Sequence, residues 1–291
     1  MRLLDALKTS TEYLDKAGIE DAFADSEMLV LHAAGAERLA AYMENPEISK
    51  GTLARIRRLI RRRAKGEPVQ YIAGHIEFLD IKIHVGKGVL IPRPETELLA
   101  EEAIKAAQRA EGKGQNAKAI NYQPFRVLDL CTGSGCIALA LAKGFPDAEV
   151  FGTDLSKKAL RYAKKNAREN NVENVTFLLG SLFSPLKRGP CFDLIVSNPP
   201  YVRRADIEGL QREIKEWEPL EALNGGVEGL DFYRRIFADA KGHLCKGGKI
   251  IVELGFGQAA DVEAIAVGLG YKNIEVNKDY AGIERILKAE L

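Results

Sequence analysis

The first 72 residues carry apolar side chains at the spacing of amphipathic helices. Leu3 and Leu7 begin a repeat that continues through the segment STEYLDKAG, and such a repeat places an apolar stripe along one helix face. Asp25 and Ser26 are predicted N-caps for the segment EMLVLHAAG, because short polar side chains can accept the free N–H groups of a first turn. The run SKGTLARIRRLIRRRAKG extends the pattern. We therefore predict a small helical domain over residues 1–72.

A change of pattern marks residues 73–92. The segment FLDIKIHVG alternates apolar and polar positions, as a half-buried strand does. Gly86 and Gly88 permit a turn, and the run VLI is again extended before Pro92. The pattern predicts a β-hairpin that links the helical domain to the rest of the chain.

Strand-like and helix-like segments alternate from Arg93 to the end of the chain. Strand patterns include FRVLDLC, AEVFGTDL, VTFLLG, FDLIVS and GKIIVELG, and helical patterns separate them, among them KKALRYAKKNAREN with Ser156 as its cap. Such alternation predicts an α/β domain over residues 93–291, with a mainly parallel sheet and helices on both faces. Residues 107–125 are polar and rich in turn formers, and we expect a mobile surface loop there.

Composition and charge exclude several classes of protein. The 291 residues are 46% hydrophobic and 29% charged, which is typical of a globular protein and not of a disordered one. The net charge of +1 gives no general reason to expect a nucleic-acid partner. No apolar stretch approaches the roughly 20 residues of a membrane span, and the N-terminus does not resemble a signal peptide. We therefore expect a cytoplasmic protein without a membrane partner.

The four cysteines do not form a recognisable chemical motif. They lack a Cys-x-x-Cys pair and a partnering histidine cluster, so neither a zinc site nor a disulfide framework is indicated. We expect all four to be small buried apolar residues; they are Cys131, Cys136, Cys191 and Cys245.

A glycine loop and an aspartate together predict a nucleoside cofactor. The strand VLDL runs directly into CTGSGC, where Gly133 and Gly135 allow the backbone to approach a ligand at a helix N-terminus. Asp154 ends the next strand, where a carboxylate can accept hydrogen bonds from both ribose hydroxyls. A plain strand-to-helix turn, with Asp154 at a helix start, is the structural alternative.

Two features favour S-adenosylmethionine over a nicotinamide cofactor at this loop. The chain has no Gly-x-Gly-x-x-Gly motif there, since Ala138 stands near the position of the third glycine. Asp129, at the strand end, suits a cationic amino-acid group better than a pyrophosphate. Phe183 follows the third strand and is the candidate to lie against the adenine, although a core phenylalanine is nearly as good an explanation.

The pentapeptide SNPPY (197–201) leaves the fourth strand at the edge where open α/β sheets bind ligands. Methyl transfer to an amide or exocyclic amine requires acceptors that bind its N–H groups and aim the nitrogen. The Asn198 side-chain oxygen and the Pro199 carbonyl can be these acceptors. Pro199 and Pro200 fix the backbone that carries them. Tyr201 can cover the planar group. A rigid loop after a strand is the alternative explanation.

Several segments together resemble one known family. FDLIVSNPPY, VLIPRPETE, DLCTGSGCIALALA, TDLSKKAL, EPLEALNGGVEGLDFYRRI and VELGFGQ are similar to the HemK/PrmC family, the N5-glutamine methyltransferases of peptide chain release factors. The resemblance spans nearly the whole chain, and IPRPETE is far more specific than NPPY. It implies a class I, Rossmann-like S-adenosylmethionine-dependent methyltransferase domain with a seven-stranded mixed sheet, preceded by a helical substrate-recognition domain. The implied substrate is the glutamine of a Gly-Gly-Gln motif in a class I release factor.

The resemblance also implies roles for individual residues. It places the loop around the methionine part of the cofactor, Asp154 on the ribose and the NPPY residues on the glutamine amide, and it places Cys131 where glycine is usual. The expected cofactor contacts are Asp129, Cys131, Thr132, Gly133, Ser134, Gly135, Asp154, Phe183 and Asn198. The expected substrate contacts are Arg93, Pro94, Glu95, Asn198, Pro199, Pro200 and Tyr201, of which the last four are the expected catalytic group.

The arginine-rich run RIRRLIRRRAK (55–65) leaves the partner open. Such a helix face can meet RNA phosphates or an acidic protein surface, or can simply be solvated. An rRNA or DNA amino-group methyltransferase is therefore the alternative function, although the near-zero net charge argues against it and we expect no stable nucleic-acid partner. A non-catalytic S-adenosylmethionine-binding module and a nicotinamide oxidoreductase are weaker alternatives. We expect a monomer.

Overall fold

A computed structural model describes residues 1–114, 124–186 and 191–291 of the chain. Two compact units can be distinguished, and each includes more than one stretch of sequence. The first comprises residues 1–76, 85–87 and 210–218, and the second comprises residues 77–84, 88–209 and 219–291. The domain boundaries at residues 72 and 92 stay a prediction. The sequence did not predict that residues 210–218 belong with the N-terminal helices.

The first unit is helical. Its elements are α1 (Leu3–Lys16), α2 (Ala22–Ala34), α3 (Arg38–Glu44), α4 (Lys50–Arg63), α5 (Val69–Ala73) and the short α9 (Arg212–Trp217). Leu14, Leu29 and Ile56 are fully buried in its core, as the helical spacing of apolar residues predicts. Helix α2 begins at Ala22, so Asp25 and Ser26 lie inside the helix and the prediction that they are N-caps is wrong.

A buried arginine explains why residues 210–218 belong to the first unit. The Arg63 guanidinium, at the end of α4, lies 2.5 Å from an Asp25 carboxylate oxygen and 2.7 Å from one of Glu213. Burial of a charge is costly unless it is paired, so the two carboxylates are what permit Arg63 to lie in the interior. Asp25, which the sequence pattern predicted as a helix cap, is therefore an ion-pair partner of Arg63.

A two-stranded hairpin is present, but its turn lies earlier than predicted. Strands β1 (His75–Phe78) and β2 (Ile81–His84) form the small sheet. Leu79 and Asp80 make the turn with φ of 45° and 59°, which is the left-handed geometry of tight hairpin turns. A turn does lie at Lys87 and Gly88, but it is not the turn of the hairpin, and residues 89–91 do not form the predicted extended strand.

The second unit is the predicted α/β domain. Its remaining elements are α6 (Pro94–Gly114), β3 (Arg126–Leu130), α7 (Cys136–Gly144), β4 (Glu149–Asp154), α8 (Lys157–Glu169), β5 (Val175–Leu179), β6 (Phe192–Ser197), α10 (Asp231–Ala240), β7 (Leu244–Glu253), α11 (Ala259–Gly268), β8 (Lys272–Lys278) and β9 (Glu284–Glu290). Short 3₁₀ turns span Arg204–Gly209 and Leu220–Ala222.

Seven strands form one mixed sheet in the order β5-β4-β3-β6-β7-β9-β8. The first five are parallel, and β9 pairs antiparallel with both β7 and β8. Val127, Leu128 and Leu130 are fully buried, as residues of a strand are when helices cover both faces of its sheet. The predicted class of fold is confirmed.

Two further expectations differ from the structure. Helix α6 continues to Gly114, so residues 107–114 are helical and not a loop, while residues 115–123 of the same prediction lie outside the described residues. Cys191 and Cys245 form a disulfide that joins the start of β6 to β7, with the two Cα atoms 4.9 Å apart. Cys136 is buried as expected and Cys131 is half-buried. None of the helices in the described ranges is long and apolar enough to cross a membrane.

Candidate functional site

A cavity of about 280 Å³ lies at the carboxyl ends of β3, β4 and β6. These strands are neighbours at the centre of the sheet, where the chain order reverses, and open α/β sheets bind ligands at that edge. The lining residues are Gly88, Val89, Leu90, Pro92, Thr96, Cys131, Thr132, Gly133, Ser134, Cys136, Ile137, Thr153, Asp154, Leu155, Ser156, Ala159, Gly180, Ser181, Leu182, Asn198, Pro200, Pro219, Glu221, Ala222, Phe232 and Arg235. All belong to the second unit.

The Asp154 carboxylate is held in place at one side of the cavity. The backbone N–H of Gly133 donates to Oδ2 over 2.9 Å, and the backbone N–H of Ser156 donates to Oδ1 over 2.7 Å. Ser156 also caps α8, since its hydroxyl accepts the N–H of Ala159. Burial raises the pKa of Asp154 above its ordinary value. Each carboxylate oxygen retains acceptor capacity for a ligand's hydroxyl groups.

Asp129 supports the glycine loop from beneath and does not line the cavity. Its Oδ2 accepts the Thr132 hydroxyl over 2.5 Å and the backbone N–H of Ala138 over 3.2 Å. Asp129 is fully buried, and this burial raises its pKa to about 7. Asp129 is therefore not in the described cavity wall, and the expected contact between its carboxylate and a cationic ligand group stays a prediction.

Leu182, and not Phe183, lines the cavity after β5. The Phe183 ring is buried and stacked on His243, with the two ring centroids 4.7 Å apart. Leu182 has a φ of 51°, which is rare for a leucine and marks a sharp turn at this point. The sequence favoured the aromatic residue for the adenine, but an aromatic ring also packs well in a core. The predicted contact of Phe183 with an adenine stays a prediction.

Asn198 and Pro200 line the cavity, while Pro199 and Tyr201 lie behind them. Among residues 1–114, 124–186 and 191–291, no group donates a hydrogen bond to the Asn198 side-chain oxygen. The Nδ2 of that side chain donates to the Thr96 hydroxyl over 3.0 Å. The amide is therefore anchored through its nitrogen, and its oxygen is left as an acceptor at the cavity wall.

The loop that follows Pro200 packs against residues 223–229. Val202 exchanges backbone hydrogen bonds with Leu223 and Gly225, over 2.8 and 2.9 Å. A Cβ atom on Gly225 would lie 2.7 Å from the Tyr201 Cα, and one on Gly229 would lie 2.4 Å from the Tyr201 carbonyl oxygen. The glycines of the segment NGGVEGLD are thus required for this close approach. Only their absence of side chains allows the two backbones to meet.

Thr96 and Glu253 are site residues that the sequence reasoning missed. The Thr96 hydroxyl donates to one Glu253 carboxylate oxygen over 2.8 Å, and the Tyr201 hydroxyl donates to the other over 3.2 Å. Glu253 is 1% exposed, and burial raises its pKa to about 7. A signal was present in the sequence: Glu253 is a lone carboxylate at the end of the apolar run KIIVE, at the same sheet edge as Asp154 and Asn198.

Arg93, Pro94 and Glu95 are not part of the described cavity wall, although Pro92 and Thr96 on either side of them are. Pro94 begins α6 and is exposed, and Arg93 is half-buried. Gly135, the last loop glycine, is buried behind Ser134 and is likewise outside the wall. Their predicted roles in ligand binding stay predictions. The expected residues that meet at the cavity are Cys131, Thr132, Gly133, Ser134, Asp154, Asn198 and Pro200.

Comparisons with known proteins agree with this geometry. A family model described as the PrmC N-terminal domain matches residues 5–74, and one described as a methyltransferase domain matches residues 123–266. The release factor glutamine methyltransferase of Thermodesulfovibrio yellowstonii is 47% identical over 90% of this chain and 90% of its own length. The protein of the same name from Geobacter sulfurreducens is 43% identical over 94% of this chain and 92% of its own length.

The solved structure of the T. thermophilus 16S rRNA N2 methyltransferase RsmC, in complex with AdoMet and guanosine, is similar with a TM-score of 0.51. The match covers 74% of this chain and 49% of that one, at 20% sequence identity. At this identity the likeness concerns the fold alone, which is the one described above.

Proposed function

The chain belongs to the release factor glutamine methyltransferase family, and from that premise we propose how it acts. It methylates the side-chain amide nitrogen, N5, of the glutamine in the Gly-Gly-Gln motif of class I peptide chain release factors. The observation that carries the proposal is the Asn198 amide, which is anchored by its nitrogen and presents its oxygen at the wall of the cavity. A site for a planar amide nitrogen needs such an acceptor.

The cavity suits S-adenosylmethionine. The Asp154 carboxylate at the end of β4 would accept the ribose hydroxyls, and the glycine loop would receive the amino-acid part. Ile137, Leu155 and Leu182 supply apolar surface for a purine ring. This cofactor supplies an electrophilic methyl group on a sulfonium sulfur.

The residues at the end of β6 would orient the glutamine amide. Its two N–H groups can donate to the Asn198 side-chain oxygen and the Pro199 carbonyl, which leaves the nitrogen aimed along one direction. Both acceptors are fixed before the substrate arrives, because Pro199 and Pro200 restrict the backbone and Thr96 holds the Asn198 side chain. The nitrogen gains positive charge as the new bond forms, so its surplus proton can pass to water. A strong general base is unnecessary.

The partner and the setting are part of the same proposal. We place the protein in the cytoplasm, as a monomer whose macromolecular partner is a release factor and not a nucleic acid. The first unit exposes four basic residues with which no acidic group in the described ranges pairs: Arg57, Arg58, Arg61 and Lys65. Such a surface suits an acidic face of the release factor. The rRNA or DNA methyltransferase alternative is not favoured, since the relatives above carry a different name.

A methyl-transfer assay with radiolabelled S-adenosylmethionine tests the proposal. A class I release factor, its Gly-Gly-Gln variant with Gln→Ala, and total rRNA are offered in parallel. We expect label on the intact release factor alone. Asn198→Ala should reduce the rate by at least about 100-fold, whereas Asn273→Ala, which removes an exposed asparagine on β8, should retain it. Label on rRNA, or on the Gln→Ala factor, would contradict the proposed substrate.

A further inference from the structure

Three hydrogen bonds connect a buried carboxylate to the NPPY segment that we propose binds the substrate. Glu253 ends β7 behind the cavity and does not line it. Its Oε2 accepts the Thr96 hydroxyl over 2.8 Å, the Thr96 oxygen accepts the Asn198 Nδ2 over 3.0 Å, and its Oε1 accepts the Tyr201 hydroxyl over 3.2 Å. A single carboxylate therefore contacts both ends of the NPPY segment, directly or through one hydroxyl.

The direction of these bonds depends on the charge of Glu253. An ionised carboxylate can only accept, so the single hydroxyl proton of Thr96 must point toward it. The Thr96 oxygen then offers only lone pairs to Asn198, and the asparagine must turn its NH₂ group inward and its oxygen outward. If Glu253 instead carried a proton, that proton could be donated to Thr96. The Thr96 hydroxyl would then be free to donate to Asn198, and the amide could turn round.

We propose that Glu253 is a positioning residue: its carboxylate, through Thr96, holds the Asn198 amide with its oxygen toward the substrate nitrogen. The inference rests on the proposed function, since it explains how the acceptor of that reaction is oriented. An Asn198 side chain turned the other way would present N–H donors to the N–H groups of the substrate, and no hydrogen bond would form. The two prolines fix the backbone, but they do not choose between the two orientations of an amide.

The surroundings place the titration of Glu253 in an accessible pH range. Burial raises its pKa to about 7, against the lowering effect of the bonds from Thr96 and Tyr201. The other titratable or charged groups around it are Glu95 from α6, which raises its pKa, Arg285 from β9, which lowers it, Tyr233 from α10, whose hydroxyl donates to the Glu253 backbone carbonyl, and Cys136 from α7. The oriented state is present above this pKa and is lost as the pH falls through it.

Four substitutions separate orientation from packing. Thr96→Val keeps the shape but removes the hydroxyl, and Thr96→Ser keeps the hydroxyl. Glu253→Gln replaces one acceptor with a donor, and Tyr201→Phe removes only the second bond. With a short Gly-Gly-Gln peptide as substrate, we expect Thr96→Val to lower kcat on the order of 100-fold, with a smaller change in KM, and Thr96→Ser to restore most of it. Wild-type kcat should fall below a pH of about 7, and Glu253→Gln should be slow at every pH.

A second measurement is independent of catalysis. NMR of the protein labelled with ¹⁵N in asparagine follows the Asn198 NH₂ group, whose signals should titrate near neutral pH in the wild type and lose that titration in Glu253→Gln. If the wild type modified no glutamine peptide, the proposed function would fail while this titration still tested the hydrogen-bonded chain. Equal kcat values for Thr96→Val and Thr96→Ser, or an Asn198 signal indifferent to Glu253→Gln, would overturn the positioning role.

Discussion

Cys131 has a φ of 59°, in the left-handed region that L side chains rarely adopt. The residue follows β3 directly and opens the glycine loop, at a position where its relatives were expected to have glycine. A Cβ atom in this conformation costs about 1 kcal/mol. We therefore expect Cys131→Gly to raise the free energy of unfolding by up to about 1 kcal/mol. The gain is reduced because glycine has a greater conformational entropy in the unfolded state. Urea denaturation measures it.

The matched control for this prediction is Cys131→Ala, which removes the thiol and keeps the Cβ atom. If backbone strain is the cause, the alanine variant gains no stability, because its Cβ atom stands on the same left-handed backbone conformation. An equal gain for both variants would instead assign the effect to removal of the thiol.

The element that supports the NPPY segment is the glycine-containing loop at residues 223–229. Gly229 has a φ of 77°, and a Cβ atom there would meet the Tyr201 carbonyl oxygen. Gly229→Ala should therefore displace the NPPY segment and lower kcat for methyl transfer by roughly 10-fold or more, as small misplacements of catalytic groups do. Steady-state kinetics with the release factor measures this loss.

Gly282 in the turn between β8 and β9 offers a control of the same backbone strain. Its φ is 80°, and nothing lies within 4 Å of an added Cβ atom. Backbone strain alone should cost Gly282→Ala about 1 kcal/mol of stability. Gly229→Ala should lose at least as much, and only Gly229→Ala should lose activity. Comparable activity in the two variants would show that the contact with Tyr201 does not matter for the reaction.

At the scale of the whole molecule, the exposed basic side chains of α4 predict how the release factor is recognised. Reversing Arg57, Arg58 and Arg61 to glutamate should raise KM for the intact factor on the order of tenfold and should leave a short Gly-Gly-Gln peptide unaffected. The effect should shrink at high salt, because exposed charges are screened. Kinetic assays with both substrates at two ionic strengths provide the test.

A second triple variant keeps the net charge of the first. Arg161, Lys164 and Arg168 are exposed on one face of α8, in the second unit, and their reversal changes the charge by the same amount. We expect a much smaller change in KM for that variant. Equal effects of both reversals would indicate general electrostatic attraction, and an effect on the peptide as well would point to a damaged cavity.

The sequence determined the class of fold and the central chemistry by itself. Its strands and helices follow from apolar periodicity, because burial on both faces of a sheet demands continuous apolar runs such as LIV (194–196) and IIV (250–252). The glycine loop, Asp154 and Asn198 could be found because each follows a recognisable strand, and parallel strands bring their carboxyl ends to one edge.

The tertiary structure decided what depends on partners distant in sequence. Asp25 resembles a helix cap in the sequence, but in the fold it pairs with Arg63, which also pairs with Glu213. The stacking of the Phe183 ring on His243 likewise could not be read from the sequence. Glu253 is 157 residues from Thr96 in sequence. A local sequence pattern shows the period and polarity of one segment. Buried polar groups, however, find their hydrogen-bond and ion-pair partners in distant segments, so only the folded chain shows which groups meet.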